Sequence, residues 1–190
     1  MSGLKVKNPQ AKMRELILYI SEQLSDDPKF GSTKLNKVLF FADFLHYRNK
    51  GESITGQEYW KLANGPAPRC FIPLRQEMIK EGIFDILPRD YWGEIQQVPT
   101  AKRKSNLSAF TGYEIALVDH VIEKLKPCDA NECSNKSHNY LGLLWDLIEL
   151  KETIPYNIAL VTRADDDTKE QMDYCDEMQR RAEKWLMAMN

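Results

Sequence analysis

Asp43, His46 and Tyr47 stand at i, i+3 and i+4. On a helix they share one face. A carboxylate beside an imidazole is the material of an acid–base pair or of half a metal site. Charged helices yield such triples readily, and the favoured reading is that Asp43 and Tyr47 tie their helix to neighbouring backbone. Lys34 and Lys37 flank Asn36 nearer the start of the same helix. Cations are unfavourable at a helix N-terminus unless an anion neutralises them. A carboxylate or phosphate of a partner would serve, and plain surface lysines are the alternative. Lys102-Arg103-Lys104 offers three charges that could touch a nucleic-acid backbone.

Other chemistry is thin. Four cysteines are present, and only Cys128 and Cys133 are close. A zinc site needs a second ligand pair at similar spacing, and the sequence holds none. Reduced thiols are expected, with a Cys128–Cys133 redox pair as the alternative. His46, His120 and His138 are scattered. There is no phosphate-cradling glycine loop, HExxH, GxSxG or dinucleotide-binding glycine pattern. No catalytic residues, no metal and no cofactor are therefore expected.

Amphipathic spacing predicts the elements that carry these residues. Met13, Leu16, Ile17, Ile20 and Leu24 mark a helix over residues 9–24, with Pro9 in its first turn. A second helix is predicted from Ser32 or Thr33 to Arg48, with Gly51 as its stop. Phe40, Phe41 and Phe44 widen its apolar face until little of it is polar, the pattern of a helix buried mid-domain. Residues 54–62 read as a short strand, and Gly65-Pro66-Ala67-Pro68 as a rigid loop. A third helix is predicted over Arg69–Glu81. Ile83–Tyr91 and Glu94–Ala101 read as a hairpin turning at Trp92-Gly93. A fourth helix runs over Thr111–Lys126, where Thr111 and Glu114 form a capping-box pattern. A fifth is expected over Ser134–Trp145, then an irregular stretch over Glu149–Val161. A last helix is expected from Thr168 to Met189, with an acidic start at Asp165-Asp166-Asp167. The class is α+β, mostly α: a compact helical domain with one small antiparallel hairpin. Helix, helix, helix, hairpin is also the order of a winged helix.

The chain has 190 residues and a net charge of −2, so bulk charge does not make it a polyanion binder. Residues 1–50 carry nine Lys/Arg against five Asp/Glu, while residues 146–190 carry six against eleven. The surface is expected to be dipolar. No window has the roughly 18 apolar residues of a membrane span. The first residues lack the apolar core of an export signal, so a cytoplasmic location is expected.

The run Lys34-Leu35-Asn36-Lys37-Val38-Leu39-Phe40-Phe41-Ala42-Asp43, then His46-Tyr47, Gly51, Ile54-Thr55-Gly56, Tyr59 and Gly65-Pro66-Ala67-Pro68, resembles the Panacea domain, or SocA-like antitoxin family. The pattern is a K-L-x-K helix ending in F-A-D, a G-x-x-[IL]-[TF]-G step and a G-P-x-P segment. It covers about a third of the chain. Ser137-His138, Trp145 and Ile154-Pro155-Tyr156 are similar to further family features. The last helix lies outside the resemblance. Residues 1–164 are thus expected to form the domain, and residues 165–190 an acidic helix packed on it or extending from it.

The resemblance implies an antitoxin of a bacterial or phage toxin–antitoxin system. Family members neutralise unrelated toxins, many by direct binding, and some are similar to protease adaptors. The expected partner is a cognate protein toxin encoded next to it, with a protease as the alternative and no membrane. Three surfaces are candidates for contact. The first gathers Lys34, Lys37, Tyr47, Tyr59 and Arg69. The second is the acidic last helix, with Asp165, Asp166, Asp167, Glu170, Asp173, Asp176 and Glu177. The third is Trp92 at the hairpin tip. The family motif residues Leu35, Phe41, Ala42, Asp43, His46, Gly56, Gly65 and Pro66 are expected to build the fold. A DNA-binding regulator is the runner-up, with residues 69–80 as recognition helix and Lys102–Lys104 on its wing. An enzyme built on Asp43, His46 and His138 comes third.

Overall fold

The computed structural model describes residues 8–161 and 168–188. Helix α1 spans Pro9–Gln23, with proline in its first turn, where the missing N–H costs nothing. The Asn8 side chain caps it by accepting from the Ala11 N–H. Its five predicted apolar positions are all buried. Helix α2, Ser32–Lys50, packs against α1 and lies at the centre of the domain. Leu35, Val38, Leu39, Phe40, Ala42 and Phe44 are fully buried, and Phe41 and Leu45 pack at the margin. Gly51 ends it in a left-handed conformation (φ 81°), its N–H returning to the Tyr47 carbonyl.

Strands β1 (Tyr59–Leu62) and β2 (Gly65–Pro68) pair antiparallel, and β5 (Thr153–Ile154) adds to the other side of β1. Two expectations are corrected here. Gly65-Pro66-Ala67-Pro68 is an edge strand rather than a loop, and part of the stretch from Glu149 to Val161 is a strand. The edge explains the prolines. The Pro66 carbonyl accepts from Lys37, so Pro66 points its backbone away from β1, and its missing N–H breaks no ladder bond.

Helix α3, Phe71–Lys80, starts two residues later than expected, because the Arg69 N–H bonds to the Glu58 carbonyl and continues the sheet. The second sheet is the predicted hairpin of β3 (Phe84–Tyr91) and β4 (Glu94–Ala101). Trp92 and Gly93 both have positive φ, as a tight primed turn requires. The order α1, α2, α3, hairpin holds, with β1 and β2 inserted before α3.

Helix α4, Gly112–Leu125, begins at the predicted Thr111–Glu114 capping box. The fifth predicted helix is two helices: α5 (Ala130–Leu141) and α6 (Leu143–Leu147). Gly142 divides them at φ 54°, ψ −134°, outside helical geometry. A second capping box, Asp129 with Glu132, starts α5 four residues earlier than expected. Tyr156–Leu160 forms a 3₁₀ turn.

Helix α7, Thr168–Ala188, lies along α4. Cys175 is buried against Tyr113, Ala116 and Leu117. The Tyr113 N–H donates to Gln179 Oε1 at 3.0 Å, and Lys50 pairs with Asp176 at 2.9 Å. Asp165-Asp166-Asp167 lies outside the described residues.

At Gly112 the backbone of α4 lies close against α7. A Cβ there would sit 3.0 Å from the Ala182 methyl and 3.3 Å from the Gln179 backbone. Gly112→Leu is therefore expected to cost about 1–3 kcal/mol. Hydrogen exchange read along the chain should show faster exchange in α7, with α1 and α2 little changed.

Candidate functional site

The motif residues form a buried polar seam along α2. Asp43 is completely buried. Its carboxylate accepts from the Thr55 N–H (2.8 Å), the Thr55 hydroxyl (2.5 Å) and the Tyr59 hydroxyl (2.8 Å). The Tyr156 hydroxyl lies 3.4 Å away and bonds more closely to the Gln57 carbonyl at 2.6 Å. Burial pushes the Asp43 carboxyl above its ordinary range, while the bonds from Thr55 and Tyr59 and the nearby His46 pull the other way. Burial and the Asp43 charge push the Tyr59 hydroxyl well up, so it stays protonated and donates. The arrangement holds the carboxyl group in place, out of contact with solvent.

His46 is buried and His138 is half-buried. The His46 ring meets the Glu52 carbonyl through Nδ1 at 2.6 Å and Tyr113 edge-on. His138 stacks on Trp145 with ring centres 4.2 Å apart. The two histidines of the enzyme reading therefore have different neighbours. Among the described residues no three His, Cys, Asp or Glu side chains are grouped to hold a metal. All four cysteines are free thiols. Burial pushes Cys70 and Cys175 up to about 11 and Cys133 up to about 12, away from thiolate chemistry.

Lys34 and Lys37 are not surface lysines. They are 1% and 2% exposed. Lys34 Nζ pairs with Asp27 at 2.6 Å and donates to the Lys126 carbonyl at 3.1 Å. The anion required near this helix start is thus internal. Lys37 donates to the Pro66 carbonyl at 3.0 Å. Burial lowers its pKa to about 7, with Cys133 opposing. Gly65 is needed beside it: a Cβ there would lie 2.7 Å from Lys37 Nζ and 2.8 Å from Ser137 Oγ, at a backbone φ of 94°.

The first contact surface expected from the sequence is corrected accordingly. Lys34, Lys37 and Tyr59 are buried and present nothing to a partner in this conformation. Tyr47 is half-buried and stacks on Tyr156. Arg69 lies over the Trp60 ring and donates to the Lys151 carbonyl. Leu35, Ala42, Gly65 and Pro66 are buried, and Gly56 turns with φ 67° while donating to Ser53. Trp92, in contrast, is 90% exposed. The basic triple of the regulator reading is largely engaged. Arg103 makes two bonds to the Glu15 carboxylate, and Lys102 lies 3.7 Å from Asp85.

The match to known families falls on this seam. The family model for the SocA-like antitoxin, Panacea domain, matches residues 35–145. The chain belongs to that family. No curated protein and no solved structure matches it. The matched span of the Panacea domain holds Asp43, Thr55, Tyr59, Gly65 and Pro66. Tyr156, which completes the seam, lies beyond it.

A cleft of about 880 Å³ lies elsewhere, between α2, α4, α5 and α6. Of the residues singled out by motif, only Phe41 reaches it.

Removing the buried carboxylate should be costly. Asp43→Ala leaves the Thr55 N–H and Tyr59 hydroxyl without an acceptor, and a loss of about 3 kcal/mol is expected in urea denaturation. Lys37 predicts a pH slope. An unfolded lysine keeps its proton to about 10.5, and folded Lys37 releases it near 7. Between these values the unfolded state binds the extra proton, so stability rises with pH. Below that window both states are protonated and the burial cost is felt in full. Urea midpoints measured across the window should rise in the wild type, and Lys37→Met should flatten the rise.

Proposed function

We propose that this chain is an antitoxin that neutralises a cognate protein toxin by direct protein–protein binding. Family membership over residues 35–145 carries the proposal. The burial of the motif residues supports binding over catalysis. Leu35, Ala42, Asp43 and Tyr59 have no contact with solvent, so the family pattern describes a frame, and the partner is met by other residues. We assign no catalytic step, metal or cofactor to it. No described helix is long and apolar enough to cross a membrane. The proposed place of action is the cytoplasm, and the proposed partner is the product of an adjacent gene.

The test is co-expression with that adjacent gene under separate control. The antitoxin reading expects growth arrest by the neighbour alone, rescue by this chain, and co-elution of the two as a stoichiometric complex. Arrest that persists with folded chain present would overturn the reading. Rescue that disappears in a host lacking its ATP-dependent proteases would replace direct blocking by delivery.

A further inference from the structure

Helix α7 is divided by charge along its length. Residues 168–178 hold four carboxylates and one lysine, while residues 179–188 hold three cations and one carboxylate. The helix dipole favours acid at the start and base at the end, but its effect falls off within the first and last turns. Asp176, Glu177 and Arg180 lie in the middle of the helix, beyond that reach. Part of the charge is settled within the chain: Lys50 pairs with Asp176 at 2.9 Å, and Arg181 with Glu177 at 2.5 Å. Asp173, Arg180 and Lys184 are exposed, and no described residue forms an ion pair with any of the three. The spacing also sets like charges side by side at i, i+4: Asp173 with Glu177, and Arg180 with Lys184. Such pairs destabilise the helix that carries them.

Two large aromatic side chains border this charged side. Tyr174 is 48% exposed and Trp185 is 63% exposed, and about three helical turns place them on one stripe. The side of α7 that meets α4 is occupied separately, by Cys175 and Gln179. Gly112, the first residue of α4, lies against Ala182, so the turn carrying Trp185 reaches past the start of α4. Exposed Tyr and Trp are the residue types that anchor interfaces.

The charge pattern selects the occupant. A uniformly acidic or basic partner would match one half of α7 and be repelled by the other. A second α7 running antiparallel matches both halves at once. With Asp173 opposite Lys184 of the second copy, Glu177 stands opposite its Arg180, and Tyr174 comes level with its Trp185. Each like-charge pair then faces the opposite pair, and two-fold symmetry repeats every contact. A parallel arrangement would set Asp173 against Asp173 and Lys184 against Lys184. We propose that two copies of this chain associate through antiparallel α7 helices, Asp173 of each meeting Lys184 of the other and Tyr174 of each packing beside Trp185 of the other. The inference goes beyond the antitoxin reading and does not rest on it, since self-association is measured without a toxin.

Sedimentation equilibrium of the full-length chain, from about 1 to about 500 µM, reads the association. The variants are Asp173→Lys, Lys184→Asp and Trp185→Ala. All three positions are exposed, so the variants should fold, and circular dichroism checks this. Lys80→Glu, on α3, is the control.

The expected result is a monomer–dimer equilibrium in the wild type that weakens with salt. Each of the three variants should dimerise about tenfold more weakly, and Lys80→Glu should match the wild type. The deciding sample is an equimolar mixture of the two charge reversals. There each altered position faces an opposite charge again, and the dimer should return to its wild-type strength. A wild type that stays monomeric across the range would overturn the proposal. So would charge reversals that dimerise as the wild type does, or a mixture that associates no more tightly than either reversal alone.

Discussion

A carboxylate removed from water must be given hydrogen-bond donors, and Asp43 receives them from Thr55 and Tyr59, with the Tyr156 hydroxyl beside them donating to the Gln57 carbonyl. Thr55 follows the end of α2, Tyr59 begins β1, and Tyr156 follows β5. Each donor fixes the segment that carries it. The turn after Gly51 is held by Thr55, the three-stranded sheet by Tyr59, and the stretch after β5 by Tyr156. The aromatic side chains around them, Phe40, Phe44, Tyr59 and Tyr156, pack edge-on or tilted and exclude water from the seam. With water excluded, the bonds to Asp43 have no competitor, and loss of any one is felt throughout.

The two lysines nearer the start of α2 follow the same logic with different solutions. Lys34 is buried with its counter-charge, Asp27. Lys37 is buried against a carbonyl and is therefore poised to lose its proton. Both join α2 to its surroundings: Lys34 to Asp27 and to the end of α4, Lys37 to β2. The helix is thus fixed by polar contacts at its start and middle and by apolar contacts along its length. Large apolar side chains stay on the outside, at Trp92 on the hairpin tip and at Tyr174 and Trp185 on α7.

Where the sequence was legible, a short-range rule governed the outcome. The all-round apolar character of α2, the Thr111–Glu114 box and the turn at Trp92-Gly93 each depend on neighbours within a few residues, and each is found in place. The Asp129–Glu132 box obeyed the same rule and could have been read to start α5 at Ala130. Gly142 could have been read as the break before α6. Other features depended on distant partners. Pro66 sits in a strand because its carbonyl is claimed by Lys37. Lysines are almost always exposed, so a surface reading of Lys34 and Lys37 was the natural one, and only the arrival of Asp27 and β2 reverses it. The cleft has no local signature at all, since its lining residues are far apart in sequence and gather only when α2, α4 and α5 pack.

The pairing of Trp60 with Thr153 sets an order in time. A ribosome adds about 5–20 residues per second, so about 5–20 seconds separate the appearance of these two residues. For that interval Asp43 has emerged and Tyr156 has not. The nascent chain can coil α1 and α2 and close the β1–β2 hairpin, but the seam lacks its last donor and β1 keeps one bare edge. Completion of the domain waits on the late arrival of a two-residue strand and one tyrosine. A chain cut short before that point would carry the whole K-L-x-K to G-P-x-P pattern and still lack the contacts that close it.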